Sequence, residues 1–398
     1  MTAPLRVALL THSTNPRGGV VHALEVGDAL HAMGVDATVL APDPGQRGLF
    51  RAARCTYAGV PAAPCTGDLA ALVRQRIADY VAWFSRPDTP VYDVHHAQDS
   101  ISANALAELV QRGRIGGFVR TVHHLDQFDD PRLAAWQARG HAAAATVLCV
   151  SRLWQATLKR EHGIDAALVA NGVDTARFTP CNARTLGADT LLRQSLGLGE
   201  GPVFLAVGGV EPRKNTLRIL DAFLRVRRRL PEAQLVIAGG VSLLDHGDYV
   251  RRFDALADAA GLRIEAGNPA SHPVSILGRV DDADMPALYR CADALIFPSL
   301  NEGFGLAVLE AMACGTPVVV SRIAPFTEYL PDGCCAWTDP GDPAGIAAAM
   351  LQACDPATAA HLRAAGQRIA ARHTWATSAA QHLAIYQAIH QLPGAHHA

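Results

Sequence analysis

No stretch of this chain is apolar for long enough to cross a bilayer as a helix, and the block Arg6-Val-Ala-Leu-Leu10 is too short for the apolar part of a secretory signal. A cytoplasmic location is the expectation. Charge of one sign is also scarce: 35 Lys and Arg against 37 Asp and Glu leave a net charge of -2, with no electrostatic footprint for nucleic acid. The nine cysteines contain no Cys-x-x-Cys pair, and Cys149, Cys291 and Cys314 stand among apolar neighbours, so reduced thiols are expected rather than a disulfide frame or zinc site. Vicinal Cys334 and Cys335 read as loop filler, with a redox-sensitive pair as the other reading. Histidine is abundant, with pairs at His95-His96 and His123-His124, but no His-Glu-x-x-His helix accompanies it, and no catalytic metal is expected. The spacing Gly-x-Gly-x-x-Gly is missing as well, which argues against a nicotinamide dinucleotide.

What is present is a globular composition, 49% hydrophobic and 18% charged, over 398 residues, a length that suggests two domains. Apolar strands alternate with helical patterns, which predicts parallel sheets built from βαβ units. One series of strands is expected at Val7 to Leu10, Ala37 to Leu40, Val91 to His95, Gly117 to Val122 and Thr146 to Val150, with an amphipathic helix over Val20 to Met33. A second is expected at Val203 to Val207, Leu235 to Ala238, Ser275 to Leu277, Ala294 to Phe297 and Val318 to Val320. Each series reads as one doubly wound sheet. The seam is the segment from Val169 to Pro180, with the turn signal Asn171-Gly172, and the polar stretch Asn182 to Gly201 suits a linker with a short helix. The basic run Arg225 to Arg229 falls late in a helix beginning near Thr216, where cations complement the helix dipole; it reads as a solvated face, with a membrane-surface contact as the other reading.

Chemistry concentrates in a few loops. Glu302 and Glu310 lie in Asn301-Glu-Gly-Phe-Gly-Leu-Ala-Val-Leu-Glu310, directly after the strand ending at Phe297. The first acid belongs to the loop at the strand's C-terminal end, the second to the following helix, Leu306 to Ala313, about one turn in. Ligands of open α/β sheets bind at that edge. Gly303 and Gly305 let the backbone approach a ligand, and the first-turn N–H groups can meet hydroxyl or phosphate oxygens. A strand-to-helix loop, Val207-Gly-Gly-Val-Glu-Pro-Arg-Lys-Asn215, brings two adjacent cations suited to a diphosphate: Arg213 as a fork of donors and Lys214 as a compact charge. A third loop, Thr11 to Val20, places Gly18 and Gly19 before a helix N-terminus. The fourth, Thr121-Val-His-His-Leu-Asp126, ends a strand, where a polar side chain can reach into a cleft.

The run from Asn301 to Glu310, continued by Ala311-Met-Ala-Cys-Gly-Thr-Pro-Val-Val-Val320, closely resembles the signature of glycosyltransferase family 4, retaining nucleotide-sugar enzymes with two facing Rossmann-like domains (the GT-B fold). Asn171-Gly-Val-Asp with Arg177-Phe-x-Pro180 resembles the segment that closes the family's first domain, and the stretch after His373-Thr-Trp375 its C-terminal helix, which crosses back to that domain. The resemblance implies an acceptor-side domain over 1–178 completed by a helix at 376–390, and a donor domain over 179–375. It implies that Glu302 binds sugar hydroxyls with the N–H groups of Phe304, Gly305 and Leu306, that Glu310 grips the ribose diol, and that Arg213 and Lys214 hold the diphosphate. Many members carry Gly-Arg after the strand where this chain has Gly208-Gly209. The Gly18-Gly19 loop would face the diphosphate, Arg279 and Val280 the base, His123 the reacting sugar, and Asp99 the acceptor, which His124 or Asp126 could help to bind. The partners implied are a nucleoside diphosphate sugar and a hydroxyl acceptor, with peripheral membrane contact if that acceptor is a lipid, and no cofactor. A nucleotide-sugar epimerase of the same architecture and a noncatalytic sugar-nucleotide-binding subunit are the alternative readings.

Overall fold

The computed structural model describes residues 4–240, 246–262, 264–266 and 272–391. The chain divides into two compact units, Met1–Gly172 with Trp375–Ala398, and Val173–Thr374. In the first, β1 (Arg6–Leu10), β2 (Asp36–Pro42), β3 (Thr56–Val60), β4 (Val94–Ala97), β5 (Val119–Val122), β6 (Thr146–Cys149) and β7 (Ala167–Leu168) form one parallel sheet in the order β3-β2-β1-β4-β5-β6-β7. In the second, β8 (Val203–Val207), β9 (Gln234–Ala238), β10 (Glu265–Ala266), β11 (Val274–Gly278), β12 (Ala294–Phe297), β13 (Val318–Ser321) and β14 (Ala336–Thr338) run in the order β10-β11-β9-β8-β12-β13-β14.

Both sheets are doubly wound, as expected. The chain starts in the middle, builds outward to one side, then returns to the other, so strand order reverses between β1 and β4 and again between β8 and β12. Those reversals open a crevice at the C-terminal ends of the strands. The central strands are buried on both faces, which is why they read as unbroken apolar runs: Val7 to Leu10 and Phe204 to Leu205 are fully buried. The helix Thr216–Arg227 shows the complementary pattern, burying Ile219, Leu220, Phe223 and Val226 on one face. Its last turn carries the basic run, in which Arg225 pairs with Asp221 one turn back and Arg227 donates to the Pro231 carbonyl.

The strand expected at Val91 to His95 begins three residues later. Val91 is 67% exposed, and pairing with β1 starts at Val94 opposite Val7. The strand expected from Gly117 starts at Val119, after two glycines. Four further strands, β3, β7, β10 and β14, were not expected, and they are the outermost strands of their sheets.

The C-terminal helix Trp375–His390 packs within the first unit. Tyr386 is fully buried with its hydroxyl 2.6 Å from His96 Nδ1, and Trp375 meets the edge of His22 at 5.6 Å. All nine cysteines are free. Among the described residues no helix is long and apolar enough to cross a membrane.

Candidate active site

In the second unit the site is built from the loops that leave β8 and β12 on either side of the strand-order reversal. After β8, Gly208 and Gly209 adopt φ of 128° and 80°. A Cβ on Gly208 would lie 2.5 Å from Lys214 Cε, so the glycine makes the channel through which the lysine stem passes. At Gly209 a Cβ would meet the Gly240 carbonyl at 2.9 Å, leaving no space there for an arginine side chain. A short 3-10 turn, Pro212–Lys214, then presents both cations. Asn215, at φ 62°, closes the turn in the left-handed region that asparagine tolerates. Its amide donates to the carbonyls of Pro298 at 3.0 Å and Pro340 at 2.8 Å, tying together the loops after β8, β12 and β14. Leu300 N adds a bond to the Arg213 carbonyl at 2.9 Å.

These braces bring three of the expected residues into direct contact. Glu302 Oε1 accepts from Lys214 Nζ at 2.6 Å and from Arg213 Nη1 at 2.9 Å. The other end of the Arg213 fork donates to Glu211 Oε1 at 3.0 Å. Lys214 Nζ also lies 4.2 Å from the centroid of the Phe297 ring, a cation–π contact from the last residue of β12. Glu302 and Lys214 are nearly sealed from solvent, with side chains 7% and 12% exposed, whereas Arg213 is 40% exposed. Burial works against the Glu302 charge, but Lys214 and Arg213 outweigh it and hold the carboxyl below its ordinary range. Burial, with Arg213 close by, lowers the Lys214 ammonium from its own.

Glu310 stands in the helix Leu306–Ala313, where Oε2 accepts from the hydroxyl of the fully buried Tyr289 at 2.7 Å. The helix entry is fixed by aromatic packing. Gly305 has φ 95°, and a Cβ there would fall 2.4 Å from Phe326 Cε1. Phe304 stacks on Tyr329 at 4.7 Å, and Tyr329 donates to the Phe304 carbonyl at 3.1 Å. The Phe304 ring is therefore a packing group, and its backbone N–H is what it can offer a ligand. Arg279 and Val280 follow Gly278 at the end of β11, beside the loop after β9, where Gly239 N donates to the Gly278 carbonyl.

The first unit gathers its own polar groups at the corresponding edge. A Cβ on Gly19 would lie 3.2 Å from His123 Cδ2, so the helix start and this imidazole are in contact, while nothing lies within 4 Å of the Cβ position of Gly18. His123 Nε2 donates to Gln98 Oε1 at 3.0 Å, and its ring meets His22 edge-on at 4.7 Å. Burial, followed by His22 and Arg120, pushes His123 well below the usual imidazole range. His124 and Asp126 pair with each other at 3.2 Å near the surface. Asp99 caps the helix Ser100–Gln111, accepting from Ser102 N at 2.8 Å, with His12 Nδ1 3.7 Å from its other oxygen.

Sequence reasoning assigned no role to Glu211, Asn215, Tyr289, Phe297 or Gln98. Glu211 and Asn215 lay inside a motif already in view, but Tyr289, Phe297 and Gln98 are reached only through the fold.

The model for "Glycosyltransferase Family 4" matches residues 16–177, and that for "Glycosyl transferases group 1" matches residues 189–368. The phosphatidyl-myo-inositol mannosyltransferase of Mycobacterium tuberculosis is 34% identical over 248 residues, 60% of this chain and 58% of that protein's length. Its counterpart in Mycolicibacterium smegmatis is 28% identical over 94% of this chain and 91% of its own. Among solved structures, sucrose-phosphate synthase from Thermosynechococcus elongatus superposes with a TM-score of 0.76 at 22% identity, covering 97% of this chain and 99% of that one. Anabaena HepE in complex with UDP and glucose gives 0.74 at 20%, covering 98% and 100%. These structural likenesses establish the two-Rossmann-domain fold. With one family model over most of each sheet, the chain belongs to glycosyltransferase family 4.

Proposed function

We propose that this protein moves a hexosyl group from a nucleoside diphosphate sugar to a hydroxyl acceptor, with retention at the anomeric carbon. The observation that carries the reading is the convergence of Lys214 and Arg213 on Glu302 at the strand-order reversal of the second sheet. Cations and an acid side by side suit a ligand whose diphosphate and sugar are neighbours. Glu302 takes sugar hydroxyls, the N–H groups of Phe304, Gly305 and Leu306 assist it, and Glu310, oriented by Tyr289, takes the ribose diol.

In the transfer, the bond between the anomeric carbon and the diphosphate oxygen breaks, and the acceptor oxygen bonds to the same face of that carbon. The departing phosphate receives the acceptor proton. Negative charge grows on the leaving group, where Arg213 and Lys214 are already in position, and preorganised donors of this kind lower such barriers by about 3 kcal/mol each. In this reading the two side chains supply the neutralisation and no metal is required. HepE with bound UDP and glucose supports a nucleotide-sugar donor, and the phosphatidyl-myo-inositol in the names of the mycobacterial relatives supports a cyclitol-bearing, lipid-linked acceptor. A cytoplasmic setting, where nine free thiols stay reduced, accompanies it.

A panel of sugar nucleotides tested for thermal stabilisation identifies the donor. At a hundredfold excess over Kd a selective ligand adds about 2.7 kcal/mol. Stabilisation by one nucleotide sugar, followed by acceptor-dependent transfer, is the expected result. An epimeric product from donor alone points to the epimerase instead, and no stabilisation by any of them overturns the reading.

A further inference from the structure

The proposed donor site carries its own anion. Glu302 presents one oxygen, Oε1, to two cations, and Glu211 takes the remaining end of the Arg213 fork. Two positive charges thus face two negative ones, and the cluster is locally neutral before any ligand arrives. A diphosphate entering such a cluster meets cations that are already engaged and a carboxylate that repels it.

The Lys214 ammonium has three N–H donors. One goes to Glu302, and the face of the Phe297 ring lies against the same ammonium. A nearly buried ammonium depends heavily on the carboxylate it touches. Glu302, equally buried, has its Oε1 occupied by Lys214 and Arg213. That oxygen cannot turn to sugar hydroxyls unless another anion takes those donors.

We infer that Glu302 acts as an internal counter-ion that is exchanged for the donor's diphosphate. Phosphate oxygens take over Lys214 and Arg213, and the released carboxylate is repaid by hydroxyl donors from the sugar on the same ligand. A nucleoside diphosphate without sugar displaces Glu302 and returns nothing to it. The site therefore favours the sugar-bearing nucleotide over the bare diphosphate, although the bare diphosphate carries more charge. After transfer the sugar leaves with the acceptor, Glu302 recaptures its two cations, and the spent nucleotide is expelled. This inference rests on the donor reading above and adds a specificity and release role for Glu302.

The test is calorimetric titration at pH 6.5 of the wild type and Glu302→Gln with UDP, GDP and ADP and with their glucose or mannose conjugates. In the wild type the matching nucleotide sugar binds at least as tightly as its diphosphate. In Glu302→Gln, which keeps the shape but not the charge, the diphosphate binds at least fivefold more tightly than in the wild type, and the preference for the sugar-bearing form collapses. An unchanged or weaker affinity of Glu302→Gln for the diphosphate overturns the exchange while leaving the donor reading standing. Absence of binding by every nucleotide to the wild type overturns the donor reading itself. If Glu302→Gln does not fold, the wild-type comparison decides: a diphosphate that binds tenfold or more tightly than its sugar conjugate overturns the exchange.

Discussion

Tyr289 donates its hydroxyl to Glu310 Oε2 at 2.7 Å from a position with no solvent exposure. The contact fixes which way the carboxylate points, because a buried phenol has no freedom to follow a wandering acid. Tyr289→Phe removes the hydroxyl and keeps the packing. The expected outcome is a loss of about 0.5–1.5 kcal/mol in urea-unfolding stability, the net worth of one hydrogen bond. Donor KM should rise severalfold with kcat nearly unchanged, because Glu310 is assigned to ribose rather than to the reacting centre.

Lys214→Met separates charge from shape. The thioether chain fills the channel beside Gly208 but leaves Glu302 without its shorter contact. Steady-state kinetics should show kcat/KM lower by about 10²–10³, the range for losing one donor aimed at a charge that grows during reaction. Thermal or urea unfolding should show a cost of about 1.5–3 kcal/mol, because the carboxylate loses one charged hydrogen bond and keeps Arg213 at 2.9 Å. Lys214→Arg should not rescue activity, since its planar head has to turn within a channel lined by glycine and Phe297.

Two glycines that look alike in the sequence should respond in opposite ways. Gly305→Ala drives a Cβ to 2.4 Å from the Phe326 ring at a backbone φ of 95°. Conformational cost and overpacking together should remove about 2–4 kcal/mol in a urea melt. Gly18→Ala meets nothing within 4 Å, stands at the start of a helix, and should leave stability equal or slightly higher. Any weakening of donor binding in Gly18→Ala then reports a ligand passing over that point, and unchanged binding removes Gly18 from the donor's path.

A pH dependence follows from the histidines buried in the first unit. His22, His123 and His382 meet edge to edge around the C-terminal helix, with His96 held between Tyr386 and Thr121. Burial lowers His22 to about 3 and His382 to about 4, and carries His96 and His123 well below 6.5 as well. A folded-state pKa below the unfolded value means that the unfolded chain binds the extra protons, so stability is full above pH 6.5 and falls as pH drops. Each such group contributes up to about 1.4 kcal/mol per pH unit in that window. Glu302 is also depressed in the folded state, but its contribution is lost only below the carboxylate range, so between pH 6.5 and 4.5 the slope belongs to the histidines. Urea melts at pH 7 and 5.5 should show the loss, and His382→Phe should reduce it by that one histidine's share, leaving the slope of the others.

How much of this was legible in the sequence depended on how strongly each segment constrains itself. Most of the ten strands foreseen are rich in buried Val, Leu, Ile, Ala and Phe, and the starts misplaced by two residues or more belong to Val94–Ala97 and Val119–Val122, which carry His95, His96, Arg120 and Thr121. The four unforeseen ones are the outer strands, among them Thr56–Val60, Ala167–Leu168 and Ala336–Thr338, which pair on one side only and are too short or too mixed to announce themselves. The site loops were legible because their glycines and charges have few other uses. That Lys214 and Arg213 would both settle on one oxygen of Glu302 was not, because that choice is made by Asn215 reaching across to Pro298. Nor was Tyr289, which comes 21 residues before its acid and belongs to a different helix. Asp99 was read as a binding residue, and its helix cap shows a local task that the same residue performs.

The helix Trp375–His390 has a consequence for how the protein is made. It is translated after the second unit, yet it covers His22 and His96, which precede that unit in the chain. The first unit's sheet must wait, with that flank open to water, until the second unit has been translated. A stop codon just after Thr374 would leave the second unit's residues complete and strand the first without its cover.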